Sequence, residues 1–140
     1  MDKEFCTYEQ ALALKELGFD EPCFGRWIEP TELFISAPAD DEYCQKQHEF
    51  SWTALAPLYQ QAFRWFREKH TLFHNIWNYT HGEPTDLIPN GFTFSIDEDW
   101  ITIIGKNELG YFKKYYKTYE EAESACLDKL IEICKTKINE

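Results

Sequence analysis

The chain has 140 residues, a formal net charge of −11 and an aromatic content of 17%. This length predicts one domain spanning residues 1–140, large enough to bury roughly two-thirds of its unfolded surface. The acidic charge disfavours duplex nucleic acid and anionic membrane surfaces as partners, because both repel a negative field.

The first predicted helix has signals at both ends. Thr7 and Gln10 match a capping box, in which each side chain accepts a hydrogen bond from the backbone of the other. Gly18 favours a Schellman ending, with Leu14 and Phe19 at the positions whose hydrophobic contact accompanies it. We therefore expect a helix between Thr7 and Gly18.

Two strands and a loop are predicted next. Residues 23–28 and 33–35 have the pattern of a hairpin. Residues 37–49 lack a hydrophobic period and contain three successive acids, which predicts a long exposed loop. Phe50 and Trp52 are expected either to begin a strand or to pack against the start of the helix that follows.

The strongest helical pattern covers residues 56–70. At about 100° per residue, its apolar side chains share one face and most polar side chains lie opposite. Pro57 suits the first helical position, where its missing N–H is not needed. The apolar face comprises Leu58, Tyr59, Ala62, Phe63, Trp65, Phe66 and His70.

The second half of the chain predicts a β-meander. Residues 72–79 alternate in the manner of a half-buried strand. After a second loop, residues 80–91, the segments 92–96 and 100–104 form the clearest hairpin, and the three acids between them are expected in its turn. A third meander strand is predicted for residues 111–116.

A final helix completes the predicted fold. Thr118 and Glu121 match a second capping box, and Cys126, Leu130 and Cys134 continue an apolar stripe. The elements together predict a single α+β domain. We expect a mostly antiparallel sheet of four to six strands, with three helices packed on one face.

Cysteine usage and the amino terminus indicate the compartment. The chain has five cysteines at irregular spacing, namely Cys6, Cys23, Cys44, Cys126 and Cys134. The first residues lack the apolar run of a signal peptide, and no stretch approaches the roughly 18–20 apolar residues of a membrane span. We therefore expect a cytoplasmic protein with reduced thiols.

Three blocks of sequence stand out, namely residues 11–25 (ALALKELGFDEPCFG), 56–69 (APLYQQAFRWFREK) and 118–133 (TYEEAESACLDKLIEI). Together they resemble a family of small uncharacterised proteins of Bacteroides-type bacteria and their phages or mobile elements. No activity, cofactor or catalytic residue is attached to that family. The resemblance implies an accessory protein of a mobile element that acts on a host protein, which favours binding or interference over metabolism.

The motifs for catalysis and metal binding are weak. A zinc site can be drawn from Cys44, His48, His70 and His74 by their spacing. It lacks a Cys-x2-Cys knuckle, and the His pair lacks the Glu that a zincin helix uses as a base. A Gly-x-Ser-x-Gly elbow and a phosphate-binding glycine loop are also missing. We predict no metal, no cofactor and no catalytic residue, hence no enzyme.

The lysine-rich segment, residues 111–117, is the most suggestive surface feature. Its candidate binding residues are Lys113, Lys114, Tyr115, Tyr116 and Lys117. One interpretation is an edge strand whose lysines prevent pairing with other sheets. The other is a binding surface, in which rings and cations hold a nucleotide-like anion, single-stranded nucleic acid or an acidic partner protein. Strand alternation predicts one tyrosine in the core and the other outside.

The leading expectation for function is therefore a non-enzymatic binding or interaction protein with a protein partner. Sequestration of a small anionic ligand, resembling a nucleotide, is the alternative. An enzyme of unknown class is a minor alternative.

Overall fold

A computed structural model describes residues 2–37, 42–79, 91–99, 101–104 and 115–139. Within these ranges the chain forms three α-helices and six strands. The strands make two antiparallel sheets of three strands each. The predicted α+β class with antiparallel strands is confirmed, although the strands are divided between two sheets instead of joined in one. No helix in these ranges is long and apolar enough to cross a membrane.

The chain folds as two compact units. The first comprises Met1–Trp65 and Ile131–Glu140, and the second comprises Phe66–Leu130. The single domain expected for residues 1–140 stays a prediction.

The first unit contains a helix packed on a small sheet. Its elements are α1 (Tyr8–Glu16), β1 (Gly25–Glu29), β2 (Glu32–Ile35), β3 (Ala54–Ala56), most of α2 (Tyr59–His70) and the end of α3 (Tyr119–Ile138). The strand order is β2-β1-β3, and α1 packs on β1 and β3. The hairpin of β1 and β2 confirms the pairing predicted from sequence, and its last pair is Glu29 with Glu32.

Both predicted ends of α1 are confirmed. The Thr7 hydroxyl accepts from the Gln10 N–H at 3.2 Å, and the Gln10 amide oxygen accepts from the Thr7 N–H at 2.9 Å. Gly18 has φ +97°, and the Phe19 N–H donates to the Leu14 carbonyl at 2.9 Å. This is the Schellman ending, and it needs a residue that tolerates the left-handed region.

The start of α2 differs from the prediction. The helix begins at Tyr59, so Pro57 does not occupy its first position. Residues 54–56 instead form β3, and the Pro57 carbonyl accepts from the Cys6 N–H at 3.0 Å. The pattern does not reveal β3 because Ala54, Leu55 and Ala56 are all fully buried, and such a strand shows no alternation.

Arg26 organises the central strand of this sheet and is fully buried. Its Nε donates to the Tyr43 carbonyl at 2.8 Å, and a terminal nitrogen donates to the Lys46 carbonyl. The other terminal nitrogen donates at 3.2 Å to the hydroxyl of Thr53, which itself donates to the Trp27 carbonyl at 2.7 Å. Arg26 therefore ties the segment that follows β2 to the sheet.

The prediction of a long exposed loop over residues 37–49 is partly wrong. Residues 38–41 lie outside the described ranges, but Glu42–Cys44 forms a 3-10 turn in which Cys44 is fully buried. The segment is fixed because its carbonyls accept from Arg26, a partner that a local pattern does not show. Phe50 and Trp52 lie in a turn before β3 and begin no strand.

The aromatic face of α2 is confirmed. Its buried members are at most 6% exposed, namely Tyr59, Ala62, Phe63, Trp65 and Phe66. The residues predicted opposite are mostly exposed, namely Gln60, Arg64, Arg67 and Glu68. The helix is thus held by a continuous apolar face, the pattern typical of a helix packed on a core.

The second unit contains a three-stranded meander. Its strands are β4 (Leu72–Tyr79), β5 (Gly91–Glu98) and β6 (Ile101–Ile104), in the order β4-β5-β6. The predicted strand 72–79 and the hairpin that follows residue 91 are confirmed. The sequence predicts Asp97 and Glu98 in the turn, but both residues belong to β5. Asp97 pairs with Phe73 of β4, and Glu98 pairs with Leu72 of the same strand.

The helix α3 has one half of its predicted capping box, because Glu121 accepts from the Lys117 N–H instead of the Thr118 N–H. The Thr118 hydroxyl accepts from the Glu121 N–H at 3.1 Å, and the Glu121 carboxylate accepts from the Lys117 N–H at 3.1 Å. The buried positions of α3 repeat at helical spacing, namely Ala122, Cys126, Leu127, Leu130, Ile131 and Cys134.

Replacing a buried ring of α2 is expected to destabilise the protein. Phe63→Ala or Phe66→Ala should lower the free energy of unfolding by about 3–5 kcal/mol, the range for emptying a buried aromatic site. Arg64→Ala is the control on the same helix, because its 3.4 Å ion pair with Glu21 lies at the surface and is worth less than about 1 kcal/mol. Urea denaturation measures all three, and losses below about 1 kcal/mol at both phenylalanines would contradict a buried face.

The thiols are expected to be unreactive in the folded protein. None of the five cysteines forms a disulfide and all are buried, and burial raises the pKa of the Cys6, Cys23 and Cys126 thiols. Because the protonated thiol is a poor nucleophile, a thiol reagent should react only after unfolding. Reductant and chelator should leave the thermal midpoint unchanged. A drop of several degrees with chelator would contradict the expectation of no structural metal.

Candidate ligand-binding site

A cavity of about 580 Å³ lies on the sheet of the second unit. It is lined by Thr71, Phe73, His74, Asn75, Asp97, Asp99 and Thr102. Small-molecule sites have volumes of about 300–1,000 Å³ and combine apolar surface with a few polar groups. The cavity matches that description.

Strand pairing brings the polar lining together. Asp97 lies opposite Phe73 on β4 and opposite Thr102 on β6. Directly opposite residues project to the same face, and so does Asn75, two positions beyond Phe73. The register between β5 and β6 also shifts at Asp97, and such bulges are common beside functional sites because they re-aim side chains.

Two residues at positive φ line the cavity. Thr71 has φ +53° and Asp99 has φ +48°. Asp99 follows Glu98 in the two-residue turn between β5 and β6, where positive φ is ordinary and aspartate tolerates it. Thr71 is β-branched, so its positive φ is an outlier, and such strain costs about 1–3 kcal/mol. The fold therefore keeps an unfavourable backbone at Thr71, directly before β4.

Asp97 is the most unusual side chain of the cavity. One carboxylate oxygen, Oδ2, accepts from the Asn75 side-chain nitrogen at 3.4 Å. The other, Oδ1, is buried and has no hydrogen-bond partner among the described residues. A buried acceptor without a partner costs about 1–3 kcal/mol, more when it is charged. Such an atom calls for a specific explanation, but Oδ1 has less than 1 Å² of accessible surface and is therefore out of reach of a molecule in the cavity.

His74 is neutral at physiological pH. Burial, together with the nearby cation of Arg67, lowers its pKa to about 4. His74 therefore does not balance the negative charge of Asp97 and Asp99, and it is a weak base at pH 7.

The metal site that can be drawn from sequence has no counterpart in the described ranges. There, no group of three or more His, Cys, Asp or Glu side chains could hold a metal ion. The absence of a metal stays a prediction, which the chelator measurement tests.

The lysine-rich segment lies only partly within the described ranges. Lys113 and Lys114 lie outside them. Lys117 is exposed, and its backbone N–H donates to Glu121 at the start of α3. Binding of an anion by these lysines stays a prediction.

The two tyrosines of that segment differ from expectation. Tyr115 and Tyr116 are both half-buried, so the predicted division into one core and one surface ring is not observed. Tyr116 exchanges two backbone hydrogen bonds with Phe92, at 2.7 and 2.8 Å. Its ring stacks on Phe94 with centroids 6.2 Å apart. Tyr116 is thus part of the sheet structure.

A rigid aromatic pair is exposed on the first unit. Phe50 and Trp52 are 56% and 50% exposed, and their rings stack with centroids 5.4 Å apart. The Lys15 ammonium donates to the Phe50 and Thr53 carbonyls, and the Tyr8 hydroxyl donates to the Trp52 carbonyl. The turn that carries the two rings is therefore anchored on α1.

Sequence reasoning missed the cavity. The sequence pattern predicts that residues 97–99 are acids of a solvated turn, and it assigns Asp97 no part in binding. The signal that could have identified it is the two-residue period of β5, which continues past Ile96 and places Asp97 opposite Phe73.

Comparison with known proteins does not identify the chain. No family model matches it, and neither a curated protein nor a solved structure is significantly similar to it. The resemblance to proteins of mobile elements stays a prediction.

Because Thr71 is strained, replacing it with glycine should change the free energy of unfolding in the opposite direction from the same replacement at Thr102. Thr71→Gly should raise the free energy of unfolding by about 1 kcal/mol, because glycine adopts positive φ without strain. Thr102→Gly, the control within strand β6, should lower it by about 0.5–1 kcal/mol, because Thr102 is not among the residues at positive φ. Denaturant titrations of both variants measure the difference. Equal losses at the two positions would contradict strain at Thr71.

Proposed function

We propose that this protein is a non-enzymatic binding protein that holds a small polar molecule in the cavity of the second unit. The observation that carries the proposal is the cavity of about 580 Å³, whose described lining combines the ring of Phe73 with the polar side chains of Asn75, Asp97 and Thr102. A small polar molecule would find both apolar contact and hydrogen-bonding groups there.

The position of the polar groups supports this function. Phe73, Asp97 and Thr102 lie on three adjacent paired strands, and sites built on strands are held more precisely than sites built on loops. The exposed ring of Phe73, at 45%, offers an apolar surface beside the polar groups. This mixture is typical of small-molecule sites.

Two properties support binding over catalysis. His74, with a pKa of about 4, is poorly matched to proton transfer near pH 7, where a general base works best with a pKa close to the working pH. The cysteine thiols are buried, and buried cysteines in apolar surroundings are inert. The cavity therefore offers recognition groups without an activated nucleophile among the described residues.

A titration of isotopically labelled protein tests the proposal. The probes are agmatine, putrescine, trehalose and adenosine monophosphate, which cover cationic, neutral and anionic chemistry. At least one should shift the backbone resonances of Phe73, Asn75 and Thr102 in two-dimensional NMR spectra, and that shift should saturate.

Two matched variants locate the binding site. Thr102→Phe places a ring in the cavity and should abolish the shifts, while Ile101→Phe enlarges a neighbouring residue that does not line the cavity and should preserve them. If none of the four probes shifts these resonances, or if Thr102→Phe leaves the shifts intact, the proposal is wrong.

A protein partner and a role in a mobile element stay predictions that rest on the sequence resemblance. The exposed pair Phe50 and Trp52 in the first unit suits a protein partner, since aromatic residues dominate binding hot spots.

A further inference from the structure

Among the described residues that line the cavity, acceptor atoms outnumber the hydrogens left for donation. Carboxylates such as Asp97 and Asp99 only accept. The Thr71 hydroxyl already donates its hydrogen to the His70 carbonyl at 2.6 Å, so only its lone pairs remain. One hydrogen of the Asn75 side-chain nitrogen is used by Asp97, which leaves the second Asn75 hydrogen and the Thr102 hydroxyl as donors. Because the carboxylate oxygens outnumber these two hydrogens, a ligand that complements the lining must bring more donors than acceptors.

The charge of the cavity points in the same direction. Asp97 and Asp99 are both part of the lining, while His74 is kept neutral by burial and by Arg67. Arg67 is exposed and is not part of the lining. The exposed ring of Phe73 adds a π face, which attracts cations. An anion would meet repulsion here, so the nucleotide-like ligand expected from the lysine-rich segment does not suit this cavity.

We propose that the ligand is an organic cation bearing an ammonium or guanidinium group, an inference that rests on the proposed binding function. An ammonium group has three donors, a guanidinium group has five, and neither has an acceptor. Their hydrogen bonds to a carboxylate are charge-assisted and roughly twice as strong as neutral ones. A sugar hydroxyl brings acceptors together with each donor, and therefore complements the acceptor-rich lining less well. The cation pairs with the carboxylates of Asp97 and Asp99, which both belong to the cavity lining.

Isothermal titration at low salt distinguishes the ligand classes. Agmatine should bind the full chain, while trehalose and adenosine monophosphate should not. Asp97→Asn removes the charge but keeps the shape, and should weaken agmatine by roughly tenfold to a hundredfold, the loss expected for one charge-assisted hydrogen bond. Glu98→Gln is the control, because it removes the same charge from the neighbouring residue, which does not line the cavity. It should change the affinity by less than about threefold, as expected for a screened charge outside the site.

The outcomes separate this inference from the function on which it rests. If trehalose or adenosine monophosphate shifts Phe73, Asn75 and Thr102 while agmatine does not, the cation inference is overturned and the binding function stands. If no probe shifts these residues, both fail. Asp99→Asn provides a second variant should Asp97→Asn unfold, and unchanged agmatine affinity in every folded variant would overturn the inference.

Discussion

A polar group that leaves water must find a hydrogen-bond partner inside the protein, and the first unit is built around this requirement at Arg26. The guanidinium is fully buried in the central strand of the sheet, where an unpartnered charge would be very costly. Carbonyls of Tyr43 and Lys46 and the hydroxyl of Thr53 accept its hydrogens, and the Tyr43 ring lies 4.8 Å from the cation. The segment from residue 42 to residue 53 is held in place because two of its carbonyls and the Thr53 hydroxyl accept hydrogen bonds from Arg26.

In the second unit, the need of a buried polar atom for a hydrogen-bond partner is not met at Asp97 within the described ranges. Asp97 is also placed by the middle strand of a three-stranded sheet, yet its Oδ1 lacks a partner among the described residues. Arg26 is enclosed and satisfied, which is the state of a structural residue. Asp97 borders a cavity and is unsatisfied, beside two residues at positive φ. The unpaired Oδ1 of Asp97 and the positive φ of Thr71 both lower stability at this end of the sheet.

The sequence predicts the parts of the fold that depend on residues close to one another along the chain. The caps of α1 and the buried face of α2 follow from spacings of three and four residues, and the two hairpins follow from short strand-like segments separated by turn residues. The strand β3 could not be predicted because its buried Ala-Leu-Ala has no period. The segment after residue 41 was interpreted as a solvated loop because its partner, Arg26, is distant in sequence. Asp97 was missed for the related reason that its role depends on pairing with β4 and β6.

The account depends most on the claim that a cation bound in the cavity pairs with Asp97 and Asp99. A crystal structure of the complex with agmatine tests it directly. We expect a ligand nitrogen about 2.7–2.9 Å from a carboxylate oxygen of Asp97 or Asp99, the distance of a charge-assisted hydrogen bond. A structure in which agmatine is absent from the cavity at saturating concentration, or lies in it without a nitrogen near either carboxylate, would contradict the account.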